Sequence, residues 1–235
     1  AFSLSGSFPV IKVVGVKRIR VGAVHALKQS IEPTQAAFES QWPTVDVSHL
    51  LDGSLYLDRS RGTADTSELA RRIKQLLIYS SSTGNDGIIF TGSFFGDAVA
   101  QARRAIAIPV LRSFDGILDE ALREDRPLYV LSTAEDSVVL LQEEFRREVQ
   151  RRSRSTEVSG RVVDGALTAV VSGQVALHDE LVLKAVEKVD PEATIVFAQF
   201  SMERVLSSAI QLRRQPVIGA ATSAVRLLRR RIGLP

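Results

Sequence analysis

The sequence predicts an α/β protein of two pseudo-symmetric halves, each a parallel sheet flanked by helices, and three observations carry that prediction. Short apolar runs alternate with helix-period segments along the chain, with no hairpin signal joining one run to the next. A strand, a small-residue turn and a helix follow one another in Gly87-Ile-Ile-Phe-Thr-Gly-Ser-Phe-Phe-Gly-Asp97. The same succession returns in Ala193-Thr-Ile-Val-Phe-Ala-Gln-Phe-Ser-Met-Glu203. The interval from Gly92 to Gln199 equals that from Pro109 to Pro216, and each proline opens a short apolar run. Leu51-Asp-Gly53 and Val163-Asp-Gly165 repeat at a slightly longer interval, so one loop differs in length. The pattern reads as an internal duplication, and two facing turns imply a cleft between the halves.

The elements follow in order. Ile19 to Val24 alternates into a strand, with Ile11 to Val16 an extra edge strand before it. A helix starts near Glu32, with Pro33 suited to its first turn, and Trp42-Pro43 ends it. Val45 to Leu51 is the next strand. The polar stretch up to Thr66 reads as a long loop of the kind that forms lids or binding segments. Ser67 is placed to cap a helix running to Ser81. Ile88, Ile89 and Phe90 form a strand buried on both faces, and helix resumes from Phe94 to before Pro109. Val110-Leu111 is a short strand, and Phe114 to Leu122 a helix. The second half repeats the plan: strands at 128–131, 158–163, 194–197 and 217–218, and helices at 135–152, 167–171, from about 178 to 189, 202–213 and 222–231.

Composition excludes several chemistries. The chain has 235 residues, 45% hydrophobic and 24% charged, as in an ordinary globular protein. It contains no cysteine, which removes disulfides, thiolate metal sites and thiol nucleophiles. The three histidines, His25, His49 and His178, lack metal-ligand spacing, so no metal site is expected. The net charge of +3 comes with arginine clusters at 146–154, 213–214 and 226–231. Acids interleave with the first cluster, and no stacking-aromatic motif accompanies any of them. The clusters read as a solvated helix face and a basic C-terminus, not as a nucleic-acid surface. No apolar run approaches the ~20 residues that span a bilayer. The N-terminus lacks the basic region of a signal peptide, and a cytoplasmic location is the default expectation.

Candidate site residues gather at strand ends. Thr91-Gly92-Ser93 offers two hydroxyls and turn amides where a helix begins, a place that suits a carboxylate or oxyanion. Ser30, Thr133 and Ser201 end other strands in the same way, and His25 closes the first strand within reach of the cleft. Each hydroxyl taken singly is better explained by helix capping; together they favour an anion-binding cleft. Asp97 could act as a base only if buried, His178-Asp179 reads as an ordinary pair in early helical turns, and Gln199 can bond a carbonyl but cannot move protons.

Several of these pieces together resemble the aspartate/glutamate racemase superfamily, which includes hydantoin racemases, maleate isomerases and arylmalonate decarboxylases. The resembling segments are Ile19-Arg-Val-Gly-Ala-Val-His25, Gly87 to Gly96, Ile108-Pro-Val-Leu111, Val130-Leu-Ser-Thr133, Ile195 to Met202 and Pro216-Val-Ile218. The resemblance implies two α/β halves with a site between them for a small carboxylate or carbonyl compound, no cofactor, and a fold compatible with a homo-oligomer. It also implies a C-terminal helix returning to the first half, giving domains of 1–111 plus 220–235 and of 112–219. Racemising members use one cysteine per half at the turn after the third strand; those positions fall at Gly92 and Gln199. Arylmalonate decarboxylases are similar in having glycine and hydroxyls at the first turn, but they keep the second cysteine. A two-thiol racemase is therefore excluded for this chain. Three readings stay open: a thiol-free member acting through other groups, a form altered from cysteine at position 92, and a silent small-molecule-binding paralogue.

Overall fold

Residues 18–233 are described by the structure, a computed structural model; the strand expected at Ile11 to Val16 lies outside them. In the first half, β1 (Arg20–His25), β2 (Asp46–Leu51), β3 (Gly87–Phe90) and β4 (Val110–Leu111) form a parallel sheet in the order β2-β1-β3-β4. In the second, β5 (Leu128–Ser132), β6 (Val158–Val162), β7 (Thr194–Phe197) and β8 (Val217–Ile218) repeat it as β6-β5-β7-β8. The duplication read from the sequence is thus a duplication of topology. In both sheets the strand order reverses direction between the first and third strands, the place where parallel sheets hold ligands beyond their carboxyl ends.

β3 and β7 are buried at every residue, which explains their unbroken apolar sequence: each is covered by helices on both faces. Burying a side chain such as Ile88, Ile89 or Phe197 contributes about 1.5–3 kcal/mol, so these two strands are rigid platforms for the turns that follow. The helices α1 (Ile31–Gln41), α3 (Thr66–Ser82), α4 (Gly96–Ala102), α6 (Glu135–Arg151), α7 (Ala166–Val171) and α8 (Val175–Glu187) fall within a few residues of expectation.

Three local expectations are corrected. The stretch after Asp52-Gly53 is not a loop but the helix α2 (Ser54–Arg61). It buries one side chain, Leu55, and is tied down by Arg72 of α3, which bonds Asp52 at 2.8 Å and Asp58 at 2.6 Å. The cap of α3 is Asp65, which accepts from the Glu68 amide at 2.8 Å, while Ser67 donates its hydroxyl to that carboxylate. Both turn-to-helix passages begin as 3-10 helix, at Ser93–Phe95 and Phe200–Val205, so regular α9 covers only Leu206–Leu212.

One core cluster draws on both halves: Phe38, Trp42 and Ile89 from the first, Phe145, Val130 and Val196 from the second, with Phe114 and Ile117 at α5 (Asp115–Ala121). The last helix, α10 (Ala220–Arg231), runs through it against α1, α5, β3 and β4. Its basic end is not simply solvated: Arg226 forks onto Glu120 at 2.7 Å and reaches Gln41 at 3.0 Å, and Arg230 meets Asp119. Its N-terminus is capped by the Glu203 carboxylate, which accepts from the amides of Ala221 and Thr222 at 3.0 and 2.9 Å. Burial pushes that carboxyl up, against the pull of its donors. The arginines of α6 pair within their own helix, Arg151 and Arg152 on Glu148.

Candidate functional site

The carboxyl ends of both sheets open onto one small cavity of about 40 Å³, room for about three waters at the usual minimum of ~10–15 Å³ each. Its lining comes from the turns after β1 and β3 in the first half and after β5 and β7 in the second. Gly92, Gln199, Ser30, Thr91, Ser93, Thr133 and Ser201, all singled out in the sequence, line it. No Asp, Glu, Lys, Arg or His does. Most of the remaining wall is apolar, with Phe94, Phe95 and Phe200 from the turns and Leu167, Val170 and Val171 from α7.

No motif points to Gln29 or to Tyr56, which α2 carries to the rim. Arg59 of the same helix lies 4.2 Å from the centre of the Phe94 ring and pairs with Asp136 of α6 at 2.7 Å, so α2 fastens the two halves beside the opening. Asp97 is elsewhere: it is exposed and lines an open groove with Arg103 and Arg112. His178 is fully buried, bonded to Asp179 at 2.8 Å, and away from the cavity.

His25 sits one layer behind the wall. Its Nδ1 is hydrogen-bonded to Thr91 Oγ1 at 2.9 Å, its Nε2 to His49 Nδ1 at 2.9 Å, and His49 Nε2 to Gln35 Oε1 at 3.0 Å. The two rings stack with centroids 5.2 Å apart. Burial, followed by the neighbouring His49, lowers the His25 pKa to about 3, so the ring is neutral at ordinary pH. Burial lowers His49 as well.

Ser93 Oγ meets Ser137 Oγ of α6 at 3.0 Å, joining the first-half turn to the second half. Two buried polar atoms of the wall, Thr133 Oγ1 and Gln29 Oε1, have no hydrogen-bond partner. Arg161, His178, Thr222 and Arg229 carry the other such atoms among the described residues, and none of these four lines the cavity.

No protein-family model and no curated protein matches the sequence. Solved structures do. The chain superposes on allantoin racemase from Klebsiella pneumoniae with a TM-score of 0.64 at 14% identity, covering 92% of this chain and 89% of that one. For aspartate racemase from Picrophilus torridus the values are 0.65 and 11%, with 92% and 94% covered. For glutamate racemase from Francisella tularensis in complex with D-glutamate they are 0.65 and 11%, with 90% and 80% covered.

The fold is that of the aspartate and glutamate racemases.

Within this racemase fold the two turn positions are occupied in opposite ways. At Gly92 a Cβ would lie 2.6 Å from the Phe90 ring and 2.8 Å from the Phe95 ring, which pack edge to face with centroids 6.1 Å apart. The backbone there is ordinary extended chain, so it is space and not conformation that demands glycine. At the second turn Gln199 is held at both ends of its amide. Its Oε1 accepts from the Thr133 amide at 2.8 Å and its Nε2 donates to Ser132 Oγ at 2.7 Å. Among the described residues no group of three or more His, Asp or Glu could hold a metal ion, and no helix is long and apolar enough to cross a membrane.

Proposed function

We propose that the protein binds a small carboxylate or related carbonyl compound in the cavity between its halves, and that it is not a two-thiol racemase. The observation that carries this reading is the lining itself. Hydroxyls of both halves surround one small cavity, and the buried Thr133 hydroxyl has no partner within the protein. Neutral hydrogen-bond donors in a water-poor site hold an anion without a charged partner, because the low local dielectric strengthens each bond. The binding groups are Ser30, Thr91, Ser93, Thr133 and Ser201; Gly92 and Gln199 mark where the fold's racemising members carry thiols. The division into 1–111 plus 220–235 and 112–219 belongs to the same proposal, with the cavity between the two parts. That the Francisella protein of this fold binds D-glutamate supports the ligand class.

A silent binding protein is the second reading, and Gln199 favours it, since an amide bonded at both ends moves no proton. The packing around Gly92 supports a site shaped for glycine over one altered from cysteine. Thermal unfolding against formate, acetate, aspartate, glutamate, maleate and a hydantoin tests the binding. A ligand at 100 times its Kd adds about 2.7 kcal/mol, several degrees in Tm for a chain of this size. No shift with any of them would overturn the reading. Deuterium incorporation from D₂O into a ligand that binds then separates a catalyst from a silent binder.

A further inference from the structure

We propose that Thr91, His25 and His49 form a directed proton wire linking the cavity to solvent, which makes Thr91 the proton-accepting face of the first half. The inference rests on the cavity being a ligand site, as proposed above, but its geometry does not depend on which ligand enters.

The direction follows from an exposed carboxylate. Glu39 on α1 accepts a hydrogen bond from Gln35 Nε2 at 2.8 Å. An ionised carboxylate can only accept, so the Gln35 amide is turned with its oxygen toward His49, which donates from Nε2 over 3.0 Å. His49 Nδ1 is then bare and accepts from His25 Nε2 over 2.9 Å. His25 Nδ1 is bare in turn and accepts the Thr91 hydroxyl proton over 2.9 Å. Every donor in the chain has one acceptor, and the whole is fixed from the surface inward. Thr91 lines the cavity, and its Oγ1, having turned its hydrogen to His25, has only lone pairs left to offer there.

The wire moves a proton without resting a charge on the buried ring. As a ligand proton reaches Thr91 Oγ1, the Thr91 proton passes to His25 Nδ1 and the His25 Nε2 proton to His49 Nδ1. His49 reaches the surface and releases its Nε2 proton to water. One proton has gone from ligand to solvent, and the inner links now point the opposite way: His49 donates to His25, His25 to Thr91, and Thr91 into the cavity, while the Gln35 amide turns its Nε2 to the bare His49 Nε2. Run backward, the same steps deliver a proton. Burial disfavours a standing imidazolium at His25, which requires the transfers to be concerted. A carboxylate ligand, needing a donor from Thr91, holds the wire in its reversed state.

Histidine-selective ¹⁵N labelling with long-range ¹H–¹⁵N correlation at pH 7 reads the wire in the intact protein, with the three imidazoles assigned from His→Gln variants. In the free protein His25 and His49 are both expected as Nε2–H tautomers; His25 found as Nδ1–H overturns the direction. Saturation transfer from water measures exchange of the His25 ring proton, expected at least tenfold slower in His49→Phe than in the wild type. Equal rates in a folded His49→Phe overturn the wire. Glu39→Gln, an exposed change outside the cavity, frees the Gln35 amide and serves if His49→Phe does not fold. It is expected to lower the Nε2–H share of His25 severalfold relative to Nδ1–H, and an unchanged ratio counts against the proposal. Acetate is the ligand probe: when it shifts the Thr133 and Ser201 amides, His25 is expected to turn to Nδ1–H, and an unturned ring overturns the coupling to the cavity. If acetate shifts no cavity amide, the carboxylate reading fails while the tautomer and exchange measurements still decide the wire.

Discussion

The two halves share one strand order and one cavity, yet they equip it differently. Register makes the comparison exact in position: Val24 pairs with Phe90 as Leu131 pairs with Phe197, and Ala23 with His49 as Val130 with Gly160. His25, Thr91 and His49 of the first half therefore correspond to Ser132, Ala198 and Gly160 of the second. Where one half has a chain of titratable rings, the other has a hydroxyl, a methyl and nothing. A side chain at Gly160 would strike the Val130 carbonyl at 2.4 Å. The second half instead fills its turn with Gln199, whose amide ties Ser132 to Thr133. A duplicated scaffold thus sets hydrogen-bonded imidazoles behind one face of the cavity and a fixed amide at the other, and in the proposed wire only the first moves a proton.

The largest test of that asymmetry is pH. The His25 pKa, lowered to about 3 by burial, lies below its unfolded value near 6.5. The unfolded chain then binds the extra proton, so this stability is complete above about pH 6.5 and lost as pH falls toward 3. The loss reaches about 5 kcal/mol at ~1.36 kcal/mol per pKa unit. Urea denaturation of wild type and His25→Gln from pH 7 to 4 should show the wild type losing stability faster. Parallel curves would place the first half on the same footing as the second.

Gly92→Cys sharpens the comparison at the two turns. Its Cβ enters the Phe90 and Phe95 rings, and overpacking of this kind costs typically 1–3 kcal/mol, read as a Tm lower by several degrees. An unchanged Tm would show that the first turn has room for a thiol. Gln199→Leu leaves the Thr133 amide without its acceptor, while Ser132 Oγ keeps its bonds to Ala134, and should cost about 1–2 kcal/mol in urea denaturation. Thr133→Val is the smallest in stability, within about 0.5 kcal/mol, because its hydroxyl has no partner to lose. It should nevertheless shrink the thermal shift given by a carboxylate, and an undiminished shift would remove Thr133 from the binding set.

Much of this was readable in the chain. Ile88-Ile-Phe90 and Ile195-Val-Phe197 announce themselves because a strand covered on both faces needs unbroken apolar sequence, and the small turns after them need Gly and hydroxyls. Helix α2 was not readable. Its eight residues bury only Leu55, so no periodicity marks it, and Arg72 holds it from outside its own sequence. Tyr56 and its place at the rim were hidden with it. Asp97 looked available at a helix start, but the 3-10 turn before α4 rotates it out to solvent.

Hydrophobic period, residue size and residue type are local properties, so the parallel α/β class, the duplication, the turns that meet at the cavity and the absence of thiol chemistry are all written in the chain. That His49, a lone histidine in β2, stands against His25, and that Gln35 and Glu39 of α1 continue the same row of hydrogen bonds, emerges from the folded chain alone. Strand register and helix docking bring those groups together from separate segments, and hydrogen-bond direction is a property of the assembled chain of groups, not of any residue in it.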